Sequence, residues 1–131
     1  VLILDEATKA RLFEIRRKHR IRLIVAFGSR VEGRLHEKSD LDLGVLLERR
    51  ERPIEIYADL QAVFPDVAVD VALLNGADPL LLNEVNGNCE LLSGEELDFQ
   101  QFRLQAFHLY QDFRPYLELE AEMNARRLQE P

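Results

Sequence analysis

Leu23-Ile24-Val25-Ala26-Phe27-Gly28-Ser29, then ten residues, then Asp40-Leu41-Asp42-Leu43-Gly44-Val45-Leu46-Leu47: these two stretches decide the fold. The first is short, rich in β-branched residues and continuously apolar up to Gly28, the pattern of a strand buried on both faces. The second alternates. Leu41, Leu43, Val45 and Leu47 fall on one side and Asp40, Asp42 and Gly44 on the other, so it reads as a strand with one apolar and one partly acidic face. Two residues apart, Asp40 and Asp42 project their carboxylates the same way. A glycine closing a buried strand lets backbone approach a ligand closely, and a helix opening at Ser29 or Arg30 would aim free N–H groups at an anion. Gly28-Ser29-Arg30 therefore reads as a seat for phosphate.

Working outward, Asp5-Glu6 marks a helix start, with Ala7, Leu12, Phe13 and Ile15 as an apolar stripe that runs into the basic segment Arg16 to Arg20. Pro53 suits the first turn of a helix reaching about Phe64, with Ile56, Leu60 and Val63 at helical spacing, and Pro65-Asp66 ends it. Val67, Val69, Val71 and Leu73 then alternate with Ala68, Asp70 and Ala72, giving a third strand that carries an acid among small residues. Asp66 lies four residues before Asp70, but phase favours Asp70, which the strand flanks on both sides. Asn75-Gly76 is a turn signal, Asp78-Pro79 opens a short helix ending near Asn86-Gly87, and Cys89 to Leu92 reads as a brief edge strand. Beyond Gly94 a helical tail starts at Glu95, with Phe99, Phe102, Ala106, Tyr110 and Phe113 at helical spacing until Pro115 kinks or divides it.

Composition bounds the rest. The 131 residues hold 17 Lys and Arg against 24 Asp and Glu, a formal net charge of −7, with 47% hydrophobic residues. That is one globular domain with a sizeable core. An acidic balance disfavours a protein that grips a long nucleic-acid backbone, which needs many cations against phosphates. No apolar run approaches the roughly 20 residues of a membrane-spanning helix. Cys89 is the one cysteine, which excludes an internal disulfide and fits a reducing, cytoplasmic setting. The three histidines are too scattered for a zinc site.

Asp40 and Asp42 on one strand, joined by Asp70 from a neighbour, would repel one another unless a hard cation sat among them. Mg²⁺ takes oxygen ligands, binds through few carboxylates and completes its shell with water and substrate phosphates. The arrangement therefore predicts a metal–nucleotide site, in which two Mg²⁺ ions would polarise a phosphoryl centre and neutralise a leaving pyrophosphate.

Gly28-Ser29, ten residues, then Asp40-Leu41-Asp42 resembles the signature of the DNA polymerase β-type nucleotidyltransferases, and the small size resembles their minimal nucleotidyltransferase (MNT) branch. The resemblance spans Leu23 to Leu73. It implies an α/β (α+β) fold: a small mixed β-sheet with helices on one side and a C-terminal helical extension. Residues 1–94 would be the nucleotidyltransferase core and 95–131 the extension packed on it, a single domain overall. It further implies that Asp40 and Asp42 ligate both metals, that Asp70 is the third carboxylate and helps activate the acceptor hydroxyl, and that Gly28 and Ser29 hold the triphosphate, with Arg30 beside them. MNT proteins resemble antitoxins encoded beside HEPN ribonuclease toxins, which implies transfer of AMP from ATP to a tyrosine of such a toxin. Transfer to a small-molecule hydroxyl, as in the similar aminoglycoside nucleotidyltransferases, and steric toxin binding without catalysis are the alternatives. The tail from Phe99 to Tyr116-Leu117 is similar to the C-terminal helices of MNT proteins.

Overall fold

The computed structural model describes residues 2–28, 40–49 and 54–129. In chain order the elements are α1 (Glu6–His19), β1 (Ile21–Phe27), β2 (Leu41–Leu47), α2 (Ile54–Val63), β3 (Val69–Leu73), α3 (Pro79–Gly87), β4 (Cys89–Gly94) and α4 (Glu96–Gln129). The four strands form one sheet in the order β3-β2-β1-β4. β1 runs antiparallel to both β2 and β4, whereas β2 and β3 are parallel because α2 carries the chain back between them. The expected small mixed sheet and C-terminal helical extension are both present.

The expected boundaries follow from local chemistry. Asp5 caps α1 by accepting from the Thr8 N–H at 2.7 Å, and Asp78 caps α3 by accepting from the Leu81 N–H at 2.9 Å, with Pro79 in the first turn. α1 ends at Arg20, which adopts the left-handed conformation (φ 53°) and donates its N–H to the Arg16 carbonyl. Pro53 lies outside the described residues.

Alternation in β2 and double burial in β1 divide the interior into two halves. On one face Ile24 and Ala26 join Leu41, Leu43, Val45 and Leu47 beneath Leu12 and Ile15 of α1 and Ile56, Leu60 and Val63 of α2. On the other, Leu23, Val25 and Phe27 pack against Leu82 and Val85 of α3 and Phe99, Phe102 and Ala106 of α4. Helices thus cover both faces, where the sequence reading set them on one side and counted only the C-terminal extension apart. The reason is β1 itself, whose odd-numbered apolar residues need a cover as much as its even-numbered ones. α3 joins the extension on the second face.

Two further expectations are corrected. Phe13 and Ala7 are exposed rather than part of the α1 stripe, which consists of Leu12, Ile15 and His19. A spacing of 3 and 4 selects those three residues, and Phe13 falls outside their arc. Pro115 does not divide the tail, since α4 runs unbroken through it, and burial stops at Ala106 with Tyr110 and Phe113 half-exposed.

His19 is the buried polar residue among those described, and its Nε2 lies 2.6 Å from Asp59 Oδ2 on α2, beside Lys18 Nζ at 3.1 Å. A carboxylate only accepts, so Nε2 carries the proton. The two hydrogen bonds hold the Asp59 carboxyl below its ordinary value. Asp59→Ala should therefore destabilise the fold by about 1–3 kcal/mol, because His19 loses a charged partner inside the α1–α2 seam. The lowered value sets the sign: the stabilisation is present above the ordinary carboxylate range and fades as pH falls through the folded-state value. Urea titrations at neutral pH and near pH 3 should show the gap between wild type and variant closing in acid; a gap that does not depend on pH would refute the ion-pair account.

Candidate active site

Every described acid of the sequence motif lies at one end of the sheet. Phe27 pairs with Asp42 across the antiparallel β1–β2 ladder, and Asp42 pairs with Asp70 across the parallel β2–β3 ladder. Residues in register on adjacent strands project to the same side, so the Asp42 and Asp70 carboxylates stand next to each other. Asp40 precedes β2 by one residue and is exposed, as is Asp70, while Asp42 is partly buried between them. Asp66, the alternative to Asp70, sits in the exposed turn before β3.

Gly28 closes β1 next to this group. Its φ is +82°, in the left-handed region that glycine adopts without strain, and a Cβ placed on it would overlap Asp42 Oδ2. The backbone and the carboxylate are therefore in direct apposition, and a larger residue at position 28 would have to push the carboxylate aside. Ser29 and Arg30, the other two residues of the expected phosphate seat, lie outside the described residues.

Electrostatics singles out Asp42. Partial burial pushes its carboxyl above the ordinary range, and the negative charges of Asp70, Asp40 and Glu84 push it further. Glu84 is exposed on α3, and it is the residue the sequence reading missed. It is the one charged side chain in the helix Pro79–Gly87, but nothing in the sequence sets that helix beside β2. Asp40, Asp42 and Asp70 crowd one strand end, with Glu84 adding its charge from α3, and none is neutralised by a cation among the described residues, so these hard oxygen donors would gain from a divalent ion. Among the described residues no three metal-ligating side chains close into a cage.

The family model described as polymerase beta, nucleotidyltransferase, matches residues 11–97, about two thirds of the chain. The chain belongs to this family. The matched segment of this nucleotidyltransferase takes in the whole sheet, α1 from Arg11, and both helices between the strands, so Gly28, Asp40, Asp42, Asp70 and Glu84 all fall within it.

Solved structures share the fold of the nucleotidyltransferase over nearly its whole length. A toxin–antitoxin crystal structure with AMP-PNP matches with a TM-score of 0.71 and 24% identity, covering 93% of this chain and 98% of that one. The tri-AMPylated HEPN toxin of Shewanella oneidensis in complex with MNT antitoxin matches at 0.66 and 21%, covering 97% and 100%. The toxin–antitoxin MntA-HepT matches at 0.65 and 20%, covering 96% and 100%. No curated protein matches the sequence. No helix of the nucleotidyltransferase, among the described residues, is long and apolar enough to cross a membrane.

Proposed function

We propose that this nucleotidyltransferase moves AMP from ATP to a tyrosine hydroxyl of a HEPN-type ribonuclease toxin and so acts as its antitoxin, with Mg²⁺ as cofactor. The observation that carries the reading is the partly buried Asp42 set against Gly28 and in register with Asp70. Asp40, Asp42 and Asp70 would hold the metal, and Gly28 with Ser29 and Arg30 would hold the β- and γ-phosphates. Bound Mg²⁺ supplies charge neutralisation at the phosphates and lowers the barrier to displacement at phosphorus.

In the reaction the acceptor oxygen attacks the α-phosphate, a new O–P bond forms, the bond to the β-phosphate oxygen breaks, and pyrophosphate leaves. The hydroxyl proton passes to Asp70, the exposed carboxylate of the pair. The choice of a protein acceptor is supported by the solved structures similar to this chain, one a toxin–antitoxin with AMP-PNP and one holding a tri-AMPylated HEPN toxin.

The test is to incubate the chain with Mg²⁺ and ATP labelled at the α-phosphate, with and without the toxin encoded beside it, and to measure the intact mass of both proteins. One or more AMP increments on the toxin, absent with Asp40→Asn, are expected. A tight complex with no increment would overturn catalysis in favour of steric neutralisation, and label on an added aminoglycoside alone would move the acceptor to a small molecule.

A further inference from the structure

α4 outruns the core. Its last buried side chain is Ala106, yet the helix continues to Gln129, about 34 Å further at ~1.5 Å per residue. Within that half, the exposed ion pairs Arg114–Glu118 (2.9 Å) and Arg126–Glu122 (3.2 Å) add little stability. Pro115, inside the helix, removes a backbone hydrogen bond and weakens the helix locally. Most helical stability in proteins comes from packing an amphipathic face, and this half of α4 has no buried side chain of its own.

Its surface has the pattern of a seam. Leu109, Phe113, Tyr116, Glu120 and Met123 recur at alternating spacings of four and three, and Tyr116 and Met123 are 69% and 50% exposed. Asp112, Leu119 and Arg126 flank the seam on one side, with Tyr110 and Leu117 on the other. The Phe113 and Tyr116 rings lie side by side, tilted by 33° with centroids 6.5 Å apart.

We propose that this half of α4 is a self-association face on which two copies of the chain pair antiparallel. Charge selects both the occupant and the direction. Centred on Glu118, an antiparallel pair sets Phe113 against Met123 of the second copy, Tyr116 against Glu120 and Asp112 against Arg126, while Leu117 and Leu119 each meet their own counterparts. Each acid in the contact gains a complement: the Tyr116 hydroxyl donates to the Glu120 carboxylate, and Asp112, which has no ion-pair partner among the described residues, gains a guanidinium. A parallel pair would stack Glu120 on Glu120. A polar residue in an apolar seam fixes register in this way. The inference is independent of nucleotidyl transfer and stands or falls without it.

The experiment is sedimentation equilibrium of the full chain across a wide concentration range, with thermal melts as a control for folding. Wild type should dimerise. Phe113→Glu with Met123→Glu should weaken the dimer at least about tenfold and leave the melting of the core unchanged, since neither residue is buried in it. Asp112→Arg should weaken association several-fold, and adding Arg126→Asp should restore it. A chain that stays monomeric up to about 100 µM overturns the proposal, as does a dimer indifferent to all these changes. A monomer that binds a toxin through this face, and loses it in Phe113→Glu with Met123→Glu, also overturns it and gives the face to the other protein.

Discussion

Asp42→Asn is expected to reduce nucleotidyl transfer by at least about 100- to 1,000-fold and, in the absence of divalent metal, to make the protein more stable. Both effects come from one carboxylate. Burial first, then Asp70, Asp40 and Glu84, raise its proton affinity in the folded state, so the native fold is penalised when the group ionises. The sign follows: for a raised carboxyl the favourable contribution is complete below the ordinary carboxylate range and is lost as pH climbs through the raised value. At neutral pH with chelator, Asp42→Asn should therefore melt above wild type, and the difference should shrink toward pH 3. Mg²⁺ should reverse the order by stabilising wild type and leaving the variant unmoved. An unchanged transfer rate would remove Asp42 from the chemistry, and a lower melting temperature with chelator at neutral pH would contradict the account of crowded charge.

Gly28→Ala should reduce transfer to a comparable extent while shifting stability the other way. Alanine in the left-handed region costs about 1–2 kcal/mol, and its Cβ would displace the Asp42 carboxylate. All the acids remain in this variant, so lost activity would report their placement and not their number. A double-mutant cycle separates the two contributions: in an Asp42→Ala background the overlap is gone, and Gly28→Ala should then cost only the backbone strain. Equal costs in both backgrounds would show that the apposition of Gly28 and Asp42 carries no energy.

Much of this was legible in the chain. β2 alternates so cleanly that both its buried face and the direction of Asp42 follow from the letters, and the phase of β3 picks out Asp70 over Asp66. The caps at Asp5 and Asp78 are local chemistry and were equally readable. What sequence could not carry was relation across space. Glu84 bears on Asp42 only because α3 packs over the same sheet face, and periodicity within one helix says nothing about which strand a charge on it will reach. The second layer of helices was implied by the double burial of β1, but only packing shows that α3 and α4 provide it. Proline disrupts a helix locally, so the sequence leaves a kink or a division at Pro115 equally open, and only the division is ruled out by α4 continuing through it.

Since no side chain beyond Ala106 is fully buried among the described residues, selection on the chemistry and selection on the tail act on separate residues. Substitutions after Ala106 can accumulate, drift and be screened for association without unfolding the sheet that carries Gly28, Asp42 and Asp70. Duplicated copies of such a gene could diverge in whom they bind through a few changes along one helix, keeping a single inherited reaction.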